Sequence, residues 1–200
     1  MDFDDGFYVE LGANDGITQS NSFYFELKRN WRGVLIEPSP HKFLLCKENR
    51  SAKNAIFCNA CVDFDYDQKY VEMQYANLMT ISNNLDLDLE DKQAHIQKGK
   101  NFLDKNENVF EFGAVAKPLT ELLEASEAPR LIDFLSLDVE GAELMVLKGI
   151  DFDRYNFRFM LIEIRDFDRI NNFLSTHGYR FVEKFSQHDY LFEYINLNHN

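Results

Sequence analysis

Cysteine is scarce in this chain: Cys46, Cys58 and Cys61 are the only three among 200 residues. So small and odd a set makes no disulfide framework and fits a reducing compartment. Glycine and proline are also few, 9 and 4 residues, which excludes collagen-like and low-complexity chains. No stretch approaches the ~18 apolar residues of a spanning helix. The opening Met1-Asp2-Phe3-Asp4-Asp5-Gly6 has neither the basic region nor the apolar run of a secretory signal. A cytoplasmic protein is expected. Positive charge is the other deficit. There are 21 Lys+Arg against 34 Asp+Glu, a net charge of −13. General nucleic-acid binding needs a basic surface, and an anionic membrane would repel this chain, so neither partner is expected. The balance says nothing about any one cleft.

What is present is an ordinary globular composition, 45% hydrophobic and 14% aromatic, in a length that suits one domain over residues 1–200. Phe7-Tyr8-Val9-Glu10-Leu11 reads as a buried strand, Asn21–Asn30 as a helix, and Gly33–Glu37 as a second strand stopped by Pro38. His41–Asn49 reads as helix and Ala55–Cys58 as a third strand. Strand, helix, strand, helix, strand implies parallel strands with helical crossovers. The stretch 62–117 reads as an irregular insertion: a hairpin over Cys61–Tyr75, a polar loop with a short helix over Asn77–Asn108, and a strand over Val109–Ala116. Regularity returns with a helix capped by Thr120. A strand over Ile132–Leu137 and a helix over Ala142–Lys148 closed by Gly149 come next. A strand over Arg158–Ile164 and a helix over Phe167–His177 closed by Gly178 follow. The last two strands, Tyr179–Phe185 and Tyr190–Tyr194, are joined by Ser186-Gln-His-Asp189, too short for a parallel crossover, so they are antiparallel. The expected fold is α/β, a mostly parallel sheet with an antiparallel strand pair at its C-terminal end.

Ligands of open parallel sheets bind beyond the carboxyl ends of the strands. There the first strand runs into Gly12-Ala13-Asn14-Asp15-Gly16. A dinucleotide fingerprint wants a second Gly where this chain has Asn14, so that the backbone can approach a pyrophosphate. Glu10 and Asp15 add negative charge beside the turn, which disfavours phosphate and suits a cationic nucleoside such as S-adenosylmethionine. Glu37 ends the second strand, where a carboxylate can accept both hydroxyls of a ribose. Asp138 ends an apolar strand, and Glu163 ends the next one in the same way, so both are site candidates. Glu140 and Glu143 fall at a helix N-terminus, where capping is an equal role for Glu143.

Val9-Glu-Leu-Gly-Ala-Asn-Asp-Gly16, Ile36-Glu-Pro38 and Leu135-Ser-Leu-Asp-Val-Glu-Gly-Ala-Glu-Leu-Met-Val-Leu-Lys-Gly149 resemble the FkbM-type methyltransferases, with the similarity extending over about Phe7 to Tyr194. The resemblance implies a Rossmann-like class I methyltransferase fold, S-adenosylmethionine as methyl donor, and O-methylation of a sugar or natural-product hydroxyl. By motif position it assigns Glu10, Gly12, Asn14, Glu37 and Asp138 to the cofactor or reaction centre. It also sets Asn59 and Ala60 beside the adenine. Glu10 stands where the family often has Asp. A segment that many members carry before the first strand, and that helps cover their active site, is not seen ahead of Phe7.

The expected activity is therefore O-methylation of a small polar, sugar-like acceptor, with Asp138 as first choice of general base and His188, in the turn between the last two strands, as second. Arg165 is a candidate grip for an anionic group on the substrate. A divalent Mg²⁺ or Mn²⁺ held by Asp138 and Glu163 is the alternative to a metal-free base and is not the favoured one. Two other classes stay open: a nucleoside-binding module without catalysis, and a dinucleotide oxidoreductase. Cys58-Asn-Ala-Cys61 matches C-x-x-C but leaves a strand and lacks further ligands, so packing is expected. His41 opens a helix, His95 lies in the insertion, His177 ends a helix and His199 is in the C-terminal tail. Sequence leaves the oligomeric state open.

Overall fold

Period-two alternation in the first strand sets the layers. In β1 (Phe7–Leu11) all five residues are buried, because the strand is central and helices or loops cover both faces. Phe7, Val9 and Leu11 point into one hydrophobic core and Tyr8 into another on the opposite face. The computed structural model describes residues 1–89 and 91–195; His199 lies outside them. Four elements follow β1: α1 (Phe23–Arg29), β2 (Arg32–Ile36), α2 (Pro40–Asn49) and β3 (Ala55–Phe57). The middle of the chain contributes β4 (Asn59–Val62), β5 (Tyr70–Tyr75), β6 (Ile81–Ser82), α3 (Lys92–Gly99) and β7 (Phe110–Pro118). The last part holds α4 (Leu119–Ala125), β8 (Leu131–Leu137), α5 (Glu143–Leu147), β9 (Asn156–Glu163), α6 (Phe167–Thr176), β10 (Tyr179–Lys184) and β11 (Asp189–Tyr194).

The main sheet has the order β10-β11-β9-β8-β1-β2-β3. β3, β2, β1, β8 and β9 run parallel, and β11 lies antiparallel between β9 and β10. This is the expected α/β sheet with an antiparallel pair at its end. The Ile164 N–H donates to the His188 carbonyl at 2.7 Å, which ties the tip of the last hairpin to the carboxyl end of β9. On one face Leu135, Leu137, Met160 and Ile162 join the β1 side chains under α4, α5 and α6. On the other, Tyr8, Trp31, Leu35 and Phe134 form a smaller core. Each fully buried side chain of this kind contributes about 1.5–3 kcal/mol. Among the described residues no helix is long and apolar enough to cross a membrane.

The insertion departs from its sequence reading. Cys61–Tyr75 is no hairpin. β4 pairs parallel with β7 while β5 pairs antiparallel with β7 on its other side, and β6 closes a second sheet of order β4-β7-β5-β6. The nine-residue β7 supplies a partner for both strands, so long-range pairing wins over the local turn. This sheet has a core of its own around Val71, Met73, Ile81 and Ile96. Two caps are also corrected. Thr120 lies inside α4, where its hydroxyl donates to the Gly149 carbonyl at 3.0 Å and accepts from the Asp151 N–H at 2.8 Å. Gly149 is dictated by close packing: a Cβ there would lie 2.1 Å from the Val62 carbonyl oxygen. Cys46, Cys58 and Cys61 are free thiols. Burial pushes the Cys46 thiol up to about 12 and those of Cys58 and Cys61 upward as well, so the C-x-x-C pair packs as expected.

Candidate active site

The carboxyl ends of β1, β2, β8 and β9 open on a cavity of about 630 Å³, roofed by residues of the insertion. At its floor the chain leaves β1 through three left-handed residues, Gly12 (φ +79°), Asn14 (+47°) and Gly16 (+82°). Asn tolerates that region better than most side chains. A Cβ on Gly12 would stand 2.0 Å from the backbone oxygen of Asp138. Glycine there is therefore required by the fit of the β1 turn against the end of β8, as well as by any ligand that approaches it. The N–H groups of Gly12 and Ala13 both donate to the Ile36 carbonyl at 3.1 Å, which brings the end of β2 alongside.

Glu37, one residue past β2, is 6% exposed and borders the cavity. Its two oxygens accept one N–H each, from Asn14 at 2.9 Å and Ser39 at 2.8 Å. Burial pushes its carboxyl up, against the pull of Ser39 and Asn14. A carboxylate has about four acceptor positions, so two remain, which is the capacity a vicinal diol needs. A side pocket lined by Asn59, Ala60 and Cys61 adjoins the cavity at Gly12, Pro38, Met73 and Val139. The Asn59 amide itself donates to the Val115 carbonyl at 3.0 Å.

Two sequence candidates stand elsewhere. Glu10 is 3% exposed and shares the Tyr8 face of β1. It accepts from the Ser22 hydroxyl at 2.5 Å, the Ser20 hydroxyl at 2.8 Å and the Asn21 N–H at 3.0 Å, with Arg50 at 3.5 Å. Asp15 is consumed in the same way by Ile17, Thr18 and the Thr18 hydroxyl. Although burial opposes it, these bonds hold the Asp15 carboxyl below its usual range. Neither acid supplies free negative charge to the cavity. Glu143, 2% exposed, accepts from the N–H groups of Val139 at 3.2 Å and Gly141 at 3.0 Å. It closes the loop between β8 and α5 without capping the helix, and burial pushes its carboxyl up to about 7.

The strand-end acids do converge. Asp138 is open to the cavity while protein crowds its other sides. Its carboxyl is raised well above the usual range, first by desolvation, then by a hydrogen bond with Glu163 and the charges of Glu163, Glu140 and Glu143. One carboxyl oxygen from each of Asp138, Glu140 and Glu163 lies within 4.8 Å of the others. Oxygen ligands of this kind suit Mg²⁺ or Mn²⁺. The Arg165 guanidinium already stands among them, 2.7 Å from Glu140 and 3.6 Å from Glu163. It is spent on these acids and is not a free grip for an anion. His188 and Asp189 complete the wall from the last hairpin.

The sequence reading did not assign four contributors to the site. Glu140 enters the cluster because a left-handed backbone, φ +55°, turns it there. His95, placed in the insertion by the sequence reading, is buried. Its Nε2 is 3.2 Å from Glu140 but off the hydrogen-bond line, and has no hydrogen-bond partner among the described residues. Asn77 and Phe102 join the cavity from the insertion, where no local pattern marks them.

Comparison with known proteins bears on the fold and the family. A solved FkbM methyltransferase from Methylobacillus flagellatus KT superposes with a TM-score of 0.57 at 13% identity, over 97% of this chain and 44% of that one. This chain thus spans less than half the length of that protein, and at such identity the likeness speaks to the fold. A precorrin-6y C5,15-methyltransferase from Geobacter metallireducens GS-15 aligns with a TM-score of 0.40 at 12% identity, over 95% of this chain and 80% of that one. No curated protein matches the chain. The model of the methyltransferase FkbM domain matches residues 10–181, which span the glycine turn, Glu37 and the acidic cluster, and the chain belongs to the FkbM methyltransferase family.

Proposed function

We propose that this chain is an S-adenosylmethionine-dependent O-methyltransferase that modifies a hydroxyl of a small, polar, sugar-like acceptor. One observation carries the reading. A single cavity joins the Gly12 turn and the half-used Glu37 carboxylate at one end to the Asp138–Glu163 pair at the other. S-adenosylmethionine, when bound, supplies an electrophilic methyl group on a sulfonium centre. Glu37 accepts the ribose hydroxyls, and the turn of Gly12 and Asn14 admits the nucleoside. The side pocket by Asn59 and Ala60 takes the base. Asp138 meets the acceptor hydroxyl and would take up its proton as the C–O bond forms and the methyl–sulfur bond breaks, releasing S-adenosylhomocysteine, with Glu163 hydrogen-bonded beside Asp138. A carboxyl raised toward the working pH is the better general base. His188 is the second candidate for this step. Most of the rate comes from alignment of hydroxyl oxygen, methyl carbon and sulfur.

Arg165 supplies positive charge between Glu140 and Glu163, which supports a metal-free step. The test pairs two measurements. Calorimetric titration should show saturable binding of S-adenosylhomocysteine and none of NAD. Methyl-labelled S-adenosylmethionine with a panel of neutral glycosides should yield a labelled methyl ether. Binding of NAD without the homocysteine nucleoside would replace this reading with an oxidoreductase. Nucleoside binding without turnover on any hydroxylated acceptor would leave a binding module.

A further inference from the structure

The roof of the cavity hangs from one carboxylate that lines no part of it. A 3₁₀ turn, Asn77–Met79, follows β5 and faces the Gly12 turn across the cavity. Asn77 holds a left-handed backbone, φ +54°. Its Oδ1 accepts from the Asn14 side chain at 3.2 Å, and its Nδ2 donates to the Phe102 carbonyl at 2.8 Å and to Glu107 at 3.0 Å. Glu107 in turn accepts from the Tyr75 hydroxyl at 2.7 Å and the Asp104 N–H at 3.0 Å. The Lys42 ammonium lies 3.2 Å from it and the His41 ring 3.7 Å. Lys42 is 7% exposed and Glu107 17%, so this ion pair is shielded and outlasts the usual surface pair. The hydrogen bonds from Asp104 and Tyr75, with Lys42 beside them, hold the Glu107 carboxyl down at about 2 against its desolvation.

These contacts form a chain with a direction. α2 starts three residues after Glu37, so Lys42 is fixed relative to the residue read as the ribose acceptor. Glu107 is fixed on Lys42, Asn77 on Glu107, and Asn14 on Asn77. Three segments distant in sequence meet on one carboxylate: the end of β5, the loop before β7 and the start of α2. We propose that Glu107 is a positioning residue for the cofactor, locking the Asn77 turn over the nucleoside end of the cavity and so fixing Asn14. The proposal rests on the cavity being the nucleoside site. Its consequence is that a residue remote from the ligand sets nucleoside affinity.

The test titrates S-adenosylhomocysteine into the wild-type chain, Asn77→Gly, Glu107→Gln and Glu107→Ala, with melting curves on each. Glycine accepts the left-handed backbone of position 77, so Asn77→Gly removes the side-chain bonds without strain. Loss of charged hydrogen bonds of this kind should weaken the nucleoside about tenfold to a hundredfold in Asn77→Gly and Glu107→Ala. Glu107→Gln keeps an acceptor for Tyr75 and loses the charge facing Lys42, so it should fall between. Hydrogen exchange over residues 76–82 should quicken in Asn77→Gly and recover less on adding nucleoside. Variants that melt lower yet bind S-adenosylhomocysteine as the wild type does would overturn the proposal, leaving the latch a purely structural tie. A folded wild type that binds no S-adenosylhomocysteine would overturn the nucleoside reading itself, and the latch with it.

Discussion

Two arginines each gather two glutamates in this fold, and the clusters behave oppositely. Arg50 is fully enclosed and reaches Glu26 at 2.6 Å, the Gly16 carbonyl at 2.8 Å, the Tyr8 hydroxyl at 2.6 Å and the Ser22 hydroxyl at 2.9 Å. Ser20 and Glu10 take what remains. Its five N–H donors are all used. Glu26 is likewise met by Ser51, Asn54 and Tyr8. Burial opposes ionisation there, but those bonds and Arg50 win, and its carboxyl is lowered. Arg165 keeps a quarter of its side chain exposed and, among the described residues, meets only Glu140 and Glu163 of the acids. Beside it Asp138 is raised. A saturated cluster holds the chain together, whereas one short of donors keeps a carboxyl ready to take a proton.

Removing the central group of each cluster separates the two roles. Asp138→Asn should lower turnover by ~10²–10⁴ while S-adenosylhomocysteine binding changes far less. The base works only when ionised, so the wild-type rate should rise with pH through a value above the ordinary aspartate range of about 3.9. That limb should vanish in the variant. Full activity in both Asp138→Asn and His188→Ala would take both residues out of the mechanism. Activity lost in chelator and restored by Mg²⁺ or Mn²⁺ would turn the acids into ligands. Arg50→Ala should leave catalytic groups untouched and cost stability, by about 3–5 kcal/mol, because Glu10 and Glu26 stay buried without their cation. Denaturant unfolding measures it, and a loss below about 1 kcal/mol would erase the contrast.

The contrast also marks what was legible in the amino-acid order. Strand-end positions follow from apolar runs, so the runs alone place Glu37, Asp138 and Glu163 at one edge of the sheet. The face of an acid inside a strand follows from parity, which the sequence reading of Glu10 as a cofactor residue did not use. Glu10 has the parity of Tyr8, opposite to Val9 and Leu11, and so turns toward α1 and α2. Arg50 was invisible because a lone arginine after a helix carries no pattern, and only the folded chain shows that three elements close on it. The insertion was illegible for a related reason: β4 and β5 both take β7 as partner, a pairing more than thirty residues away that no local turn announces. Asn77, His95 and Glu107 lie in that region.

Glu143 gives a smaller effect with a defined sign. Its carboxyl sits near 7 in the fold against about 4.3 in an unfolded chain. The folded state therefore binds the proton more tightly. The stability this brings is full below about 4.3 and is lost as pH rises toward 7, by up to about 3 kcal/mol. Glu143→Gln should flatten that slope while keeping an acceptor for Val139 and Gly141. An unchanged slope in thermal melts between those pH values would assign it to other groups.

The central claim is that Glu37 holds the nucleoside. Calorimetric titration of S-adenosylhomocysteine into the wild-type chain and into Glu37→Gln tests it most directly, with circular dichroism to show that both are folded. Saturable binding to the wild type is expected, with a loss of about 1.5–3 kcal/mol in the variant, the scale of hydrogen bonds to a charged group. Equal dissociation constants for the two folded proteins would contradict it.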